Sequence, residues 1–163
     1  MWMIAIRQVL LWTLLCGLVY PLLVTGLSQS LMARQANVRD TNLVGQDFAQ
    51  KDYFWGRPSA VGYNAASSSG TNFGPHEPKR EEQTRFPADA PADLRYASGS
   101  GLDPDITPEA ALYQVPRVAQ ARGLATARVE QLVRSQVRGK TFGVLGHERV
   151  NVAELNRALD ILK

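Results

Sequence analysis

Two short segments rich in glycine and serine carry the residue types best suited to binding an anion. They read SSSGTNFG and SGSGLD and cover residues 67–74 and 98–103. Backbone N–H groups and hydroxyls in such loops can hold phosphate oxygens. Neither segment has the spacing or the lysine of a P-loop, and Asp103 and Asp105 would repel a phosphate. We therefore favour tight turns that touch a partner. The alternative is a weak nucleotide contact, for which the candidate residues are Ser69, Gly70 and Asn72.

Hydrolytic or metal-dependent chemistry finds little support in the residues. No serine lies in the G-x-S-x-G pattern of a nucleophile elbow. The two histidines, His76 and His147, each precede a glutamate, and adjacent residues do not project together as those of H-E-x-x-H do. The single cysteine, Cys16, excludes an internal disulfide and a cysteine-based metal cage. We predict no catalytic residue and no metal site, and keep a membrane-anchored periplasmic hydrolase unrelated to ion transport as the alternative function.

A helix predicted over residues 108–122 contains a proline. Pro116 removes the hydrogen bond to the carbonyl of Leu112 and clashes with it, at a cost of roughly 3 kcal/mol. Gln114 could satisfy a freed carbonyl, or it could contact a partner together with Arg117. The structural alternative is a kink that wraps the helix around a sheet.

Three amphipathic helices are predicted in the second half of the chain. Apolar residues recur there at helical spacing, and the three stretches begin at the capping residues Thr107, Thr126 and Asn151. Short strands are predicted within residues 42–48, 94–102, 141–146 and 149–152. The expected fold class is therefore α+β, with about three helices packed on a small β-sheet.

The N-terminal segment is long and apolar enough to cross a membrane. No charged residue lies between Arg7 and Arg34, and about 20 apolar residues cross the hydrocarbon core. A cleaved signal peptide is the alternative, but its apolar stretch would be about 7–15 residues. We predict a transmembrane helix over residues 8–33 and a soluble domain over residues 34–163. The flanking charges do not set the orientation.

The charge balance argues against a nucleic-acid partner. The chain has 163 residues and a net charge of +3, and its basic residues are scattered rather than gathered on one face.

Several longer stretches resemble the C subunit of the Kdp-type potassium-transporting ATPase. YFWGRPSA, SGTNFGP, SGSGLDPDITPEAALYQVPRV and VNVAELNRALD occur in the order typical of that family. With the apolar N-terminal segment, the resemblance covers nearly the whole chain. The chain departs from the family pattern in two segments that are shorter than usual, near residues 36–42 and 76–91.

The resemblance implies a non-catalytic subunit of a bacterial inner-membrane complex. Its partners would be a channel-like potassium-binding subunit and a P-type ATPase subunit, which it helps to assemble. The family is described as a catalytic chaperone that raises the ATP affinity of the ATPase subunit. No cofactor would be bound tightly, ATP would be reached through the complex, and the soluble domain would be periplasmic.

Matches to the family's motifs give the candidate partner-binding residues. They come from its R-P-S-A turn, its S-G-S-G-L-D-P loop and its Q-V-P-R-V helix. These residues are Arg57, Ser59, Asp103, Gln114 and Arg117.

Overall fold

The chain divides into two units, which are described here separately. The computed structural model gives these units as residues 1–40 and 41–163. The residues that the structure describes are 2–32, 41–74, 77–79 and 84–162. His76, the end of the predicted 8–33 helix, and parts of the two shortened segments lie outside the described residues.

The first unit contains one long apolar helix. It consists of α1 (Trp2–Leu14), a π-helical segment (Leu15–Val19) and α2 (Tyr20–Met32). The π-helical segment ends two residues before Pro21, whose ring would clash with the carbonyl four residues earlier in a regular α-helix. The span Trp2–Leu31 has a mean hydropathy of 2.0 and no buried residue, so it is long and apolar enough to cross a membrane.

The described part of the second unit contains helices and a small sheet. After a 3₁₀ turn (Thr41–Leu43), the helices are α3 (Ala92–Arg95), α4 (Pro108–Arg122), α5 (Thr126–Ser135) and α6 (Val152–Ile161). The strands β1 (Asp105–Ile106) and β2 (Val150–Asn151) pair antiparallel, with Asp105 opposite Asn151 and Ile106 opposite Val150. The predicted α+β class, an apolar N-terminal helix followed by helices and a small sheet, is confirmed.

Local capping explains where the longer helices begin and end. The Thr107 hydroxyl accepts a hydrogen bond from the Ala110 N–H at the start of α4, and the Asn151 side chain accepts one from the Glu154 N–H at the start of α6. Gly123 ends α4 in the left-handed conformation, at φ 66°. The cap predicted at Thr126 is wrong by one position, because Thr126 is already helical and makes no capping bond.

One apolar core joins the helices to the sheet. Apolar faces of α4, α5 and α6 meet there, and Ile106 and Val150 add the inner side of the two strands. The largest fully buried apolar side chains are Phe54, Leu94, Val118, Val129, Val133, Val150, Leu155 and Leu159.

Most of the predicted strands are wrong or much shorter than expected. Residues 42–48 form the 3₁₀ turn followed by irregular chain, and residues 94–102 begin inside α3 and continue as a loop. Residues 141–146 hold only the isolated bridge between Thr141 and Leu145. Side chains make hydrogen bonds to many backbone groups of the extended segments in this unit. These backbone groups therefore do not need a neighbouring strand as a partner.

Candidate functional site

Two buried amides hold the extended segment at Phe54 and Trp55. The Asn156 side chain accepts from the Phe54 N–H at 2.9 Å and donates to the Phe54 carbonyl at 3.0 Å. The Gln114 side chain accepts from the Trp55 N–H at 2.8 Å and donates to the Trp55 carbonyl at 3.0 Å. Each amide thus satisfies both backbone groups of one residue. We call these four residues the amide clamp.

Gln114 also bonds within its own helix, but not at the carbonyl that Pro116 frees. Its Nε2 donates to the Ala110 carbonyl at 3.3 Å rather than to that of Leu112. The side chain is 1 % exposed, so a partner contact by Gln114 stays a prediction that this burial does not favour.

Two arginines of α4 close the clamp from outside. The Arg117 guanidinium donates to the carbonyls of Lys51 and Tyr53, at 2.5 and 3.0 Å. It also stacks 3.9 Å from the centre of the Trp55 ring. Burial lowers the pKa of Arg117 to about 10, opposed by the nearby charge of Asp52. Arg117 and the amide clamp together therefore hold the backbone between residues 51 and 55, and Arg117 also contacts the Trp55 ring.

Arg122, five residues further along α4, also bonds the extended segment and contacts an aromatic ring. It donates to the Asp52 carbonyl at 2.8 Å, pairs with Asp160 of α6 at 2.7 Å and lies 4.6 Å from the centre of the Tyr53 ring. Two helices that are distant in the sequence are thus fastened to one extended segment.

The two glycine- and serine-rich loops lie against each other. The Ser69 N–H donates to the Ser100 carbonyl at 3.1 Å, and the Ser68 hydroxyl donates to the same oxygen at 3.0 Å. We call residues 67–74 and 98–103 together the loop joint.

Ser59 connects the loop joint to the segment that leaves the amide clamp. Its hydroxyl donates to the Gly101 carbonyl at 2.6 Å and accepts from the Tyr63 N–H at 2.9 Å. Gly101 has φ 69°, and a Cβ there would lie 2.8 Å from the Ser69 carbonyl oxygen. Only glycine fits at position 101 without displacing the loop of residues 67–74.

An ion pair crosses the same region. Arg57 lies 3.2 Å from Asp103, whose other carboxylate oxygen accepts from the Asp105 N–H at 3.1 Å. The Arg57 carbonyl accepts a 2.6 Å bond from the Tyr63 hydroxyl. Burial, and then the charge of Asp47, raise the pKa of Tyr63.

The candidate nucleotide contact is occupied by the protein's own bonds. The Ser69 N–H already donates a hydrogen bond to the Ser100 carbonyl, and the Ser69 hydroxyl donates to the Gly70 carbonyl at 3.3 Å. Asn72 is exposed and has a positive φ of 56°. A nucleotide contact at Ser69, Gly70 and Asn72 stays a prediction, and this geometry does not favour it.

A small aromatic cavity opens between the amide clamp and the loop joint. It has a volume of about 170 Å³ and is lined in part by Trp55, Phe86, Tyr63, Ser59 and Arg85. The Phe86 ring lies edge-on to Trp55, with ring centres 5.3 Å apart. This concave, aromatic surface is the strongest candidate for recognition in the second unit.

The predicted partner-binding residues fall into two groups. Arg57, Ser59 and Asp103 lie around the loop joint, whereas Gln114 and Arg117 belong to the clamp and its cover. All five make hydrogen bonds within the chain, which gives each a structural role. Whether Arg57, Ser59, Asp103 or Arg117 also contacts a partner stays a prediction.

Sequence reasoning missed Asn156 and the aromatic cavity. The signal for Asn156 was present, because this amide stands between Leu155 and Leu159 on the buried face of α6. A buried amide needs a partner, and the partner was more than 100 residues away. No local pattern predicts that pairing.

The described residues hold no cluster of three or more His, Cys, Asp or Glu that could bind a metal ion. His147 lies in an exposed turn.

Known proteins match this chain over nearly its whole length. The family model for KdpC, the c chain of the K⁺-transporting ATPase, matches residues 2–161. The potassium-transporting ATPase KdpC subunit of Herpetosiphon aurantiacus is 46 % identical, over 98 % of this chain and 95 % of that protein. The subunit of the same name from Methylococcus capsulatus is 47 % identical over 98 % of this chain and 96 % of its own length. Both alignments run to 183 positions, so they contain gaps opposite this 163-residue chain.

Proposed function

Because the chain belongs to the KdpC family, the c chain of the K⁺-transporting ATPase, we propose that it is a non-catalytic accessory subunit of that pump. It joins a channel-like potassium-binding subunit to a P-type ATPase subunit. The observation that carries this proposal is the match over residues 2–161, which leaves no separate domain for a hydrolase in that range. This match gives no support to a hydrolase unrelated to ion transport.

The docking surface that we propose is the aromatic cavity with its rim. Trp55 and Phe86 form its apolar base, Arg85 lies 5.4 Å from the centre of the Trp55 ring, and Tyr113 extends the rim beside Phe86. Tryptophan, tyrosine and arginine are the residues that most often dominate protein interfaces. The clamp supports the proposal because it fixes the Trp55 backbone while Arg117 stacks on the Trp55 ring, and a group ordered before binding loses less entropy on docking.

The test is co-purification of the pump with a tagged Arg85→Ala variant. Loss of an interface arginine costs about 1–2 kcal/mol, so we expect roughly 5- to 30-fold weaker retention of the other subunits. Arg128→Ala, at an exposed arginine of α5, is the matched control and should retain them fully. Equal retention by both variants, with unchanged folding, would remove the cavity from the proposed interface.

We propose that any effect on the ATP affinity of the ATPase subunit is exerted through assembly. The support is that the Ser69 N–H and hydroxyl already make hydrogen bonds within the loop joint. Titrating the full chain in detergent with Mg-ATP tests this. Saturable binding in the micromolar range that Asn72→Ala abolishes would establish a direct nucleotide site instead.

We propose a periplasmic soluble domain behind a single membrane-spanning helix. Reporter fusions after Lys163, one active only in the periplasm and one only in the cytoplasm, test the orientation. Activity of the cytoplasmic reporter alone would overturn the periplasmic placement, but it would not bear on the assembly role.

A further inference from the structure

The most exposed apolar cluster of the second unit is the tip of a hairpin between α5 and α6. The hairpin begins at the bridge between Arg138 and Arg149 and is closed near its tip by the bridge between Thr141 and Leu145. Every residue from 138 to 148 is exposed. Its turn therefore stands out from the domain instead of packing on it.

Three large apolar side chains occupy this tip. Phe142 is 91 % exposed, Val144 76 % and Leu145 60 %. Scattered exposed apolar residues are normal, but three within four positions at the end of a projecting turn form a patch. Phe142 also has a positive φ of 54°, which is rare for a bulky residue. The turn thus holds a phenyl ring in water at a backbone conformation that is itself unfavourable, and such sites are commonly functional.

The base of the hairpin lies where the chain enters the domain. Glu154 at the start of α6 pairs with Arg138 and also accepts a hydrogen bond from the Asn42 side chain at 3.2 Å. Asn42 is further held by Asn151, which donates to its carbonyl at 2.8 Å. Its neighbour Leu43 is 75 % exposed and adds a fourth apolar side chain to this corner.

A short stretch of the sequence joins the apolar N-terminal helix to Thr41, the neighbour of Asn42. Eight residues, 33–40, separate Met32 from Thr41. A chain of that length spans at most about 30 Å even when fully extended. In a chain anchored by α1 and α2, Thr41 can therefore lie no farther than about that distance from Met32.

The charges beside the tip fit a lipid surface. Lys140 lies two residues before Phe142 and is the basic residue of the tip itself. At the hairpin's base, Arg138 pairs with Glu154 and Arg149 with Asp105, and the acidic Glu148 precedes Arg149. Basic side chains beside exposed apolar ones are the combination that binds anionic headgroups while apolar groups enter the interface.

We propose that the hairpin tip, made of Phe142, Val144 and Leu145, inserts into the interfacial region of the anionic bilayer that holds the N-terminal helix. The contact is with lipid and does not depend on the aromatic cavity or on the pump's other subunits.

The test is a fluorescent label at the tip of the full chain, reconstituted into phosphatidylcholine/phosphatidylglycerol vesicles. Val144→Cys is labelled with an environment-sensitive fluorophore in a Cys16→Ala background. We expect a blue-shifted emission, quenching by brominated lipids and protection from iodide. The matched position is Gln120→Cys, an exposed residue of α4 close to Arg122, which pairs with Asp160 at the far end of α6 from Glu154. That label should behave as in water.

A second variant separates the tip's own side chains from the label. Phe142→Ser with Leu145→Ser should abolish lipid quenching of the label at position 144, whereas Ile161→Ser, at an equally exposed apolar residue, should leave it unchanged. Iodide quenching at 144 equal to that at 120 in vesicles would overturn the proposal. Protection that arises only when the pump's other subunits are added would also overturn it, because the occupant would then be protein.

Discussion

At the scale of single residues, Gln114 and Asn156 supply the hydrogen bonds that a paired strand would otherwise give to residues 54–55. Both amides are buried, and each bonds the N–H and the carbonyl of one residue. Truncating one amide leaves a buried donor and a buried acceptor unpaired, and each unpaired group costs about 1–3 kcal/mol.

Gln114→Ala should therefore lower the free energy of unfolding by about 2–4 kcal/mol, from the loss of two backbone partners. Gln120→Ala lies on the exposed side of the same helix and should change stability by less than about 0.5 kcal/mol. Chemical denaturation of both variants measures the difference. Equal stabilities would mean that the clamp contributes nothing to folding.

Gly101 gives a second comparison at this scale. Gly101 and Gly123 both have positive φ, but a Cβ would meet the Ser69 carbonyl oxygen only at position 101. Gly123→Ala should cost about 1–2 kcal/mol, from the left-handed conformation alone. Gly101→Ala should cost clearly more, because the two loops must also separate. Thermal unfolding of the pair tests this, and similar losses would show that the close approach is not rigid.

Tyr63 predicts a pH dependence. Its pKa is raised above the unfolded value of 10.0, chiefly by burial, and its hydroxyl donates to the Arg57 carbonyl. A raised pKa means that the stability it contributes is complete below pH 10 and is lost as the pH rises through the folded-state pKa. Urea unfolding between pH 8 and 11 should therefore show a steeper alkaline loss for the wild type than for Tyr63→Phe. Parallel profiles would contradict this assignment.

At the scale of elements, the helices were predictable and the strands were not. Thr107, Pro108 and Gly123 mark the bounds of α4 in the sequence itself, because helix capping is local. The extended segments depend on partners more than 40 residues away, such as Asn156 for Phe54 and Gly101 for Ser59. No strand was predicted at residues 54–59, and side chains from distant elements satisfy much of the backbone there.

The same distinction predicts the effect of removing caps. Asn151 accepts from the Glu154 N–H and donates to Asp105 and to the Asn42 carbonyl, so Asn151→Ala should cost about 2 kcal/mol. Thr126 makes no capping bond, so Thr126→Ala should be close to neutral. Helix content and denaturation midpoints of the two variants decide the matter. A comparable loss at Thr126 would restore it as a cap.

At the scale of the whole molecule, the sequence predicted the fold class and the family, but not the arrangement of the site. The motifs near Arg57, Asp103 and Gln114 were visible. Asp103 belongs to the loop joint and pairs with Arg57, whereas Gln114 belongs to the clamp. The cavity between these clusters depends on Phe86, which begins a stretch containing Pro87 and Pro91 that has no helical or strand pattern.

The measurement that tests this account most directly is purification of the pump with and without this chain. We expect the potassium-binding and ATPase subunits to be recovered together, with potassium-stimulated ATP hydrolysis, only when the chain is co-expressed. Recovery of a stable and active complex in its absence would contradict the assembly role.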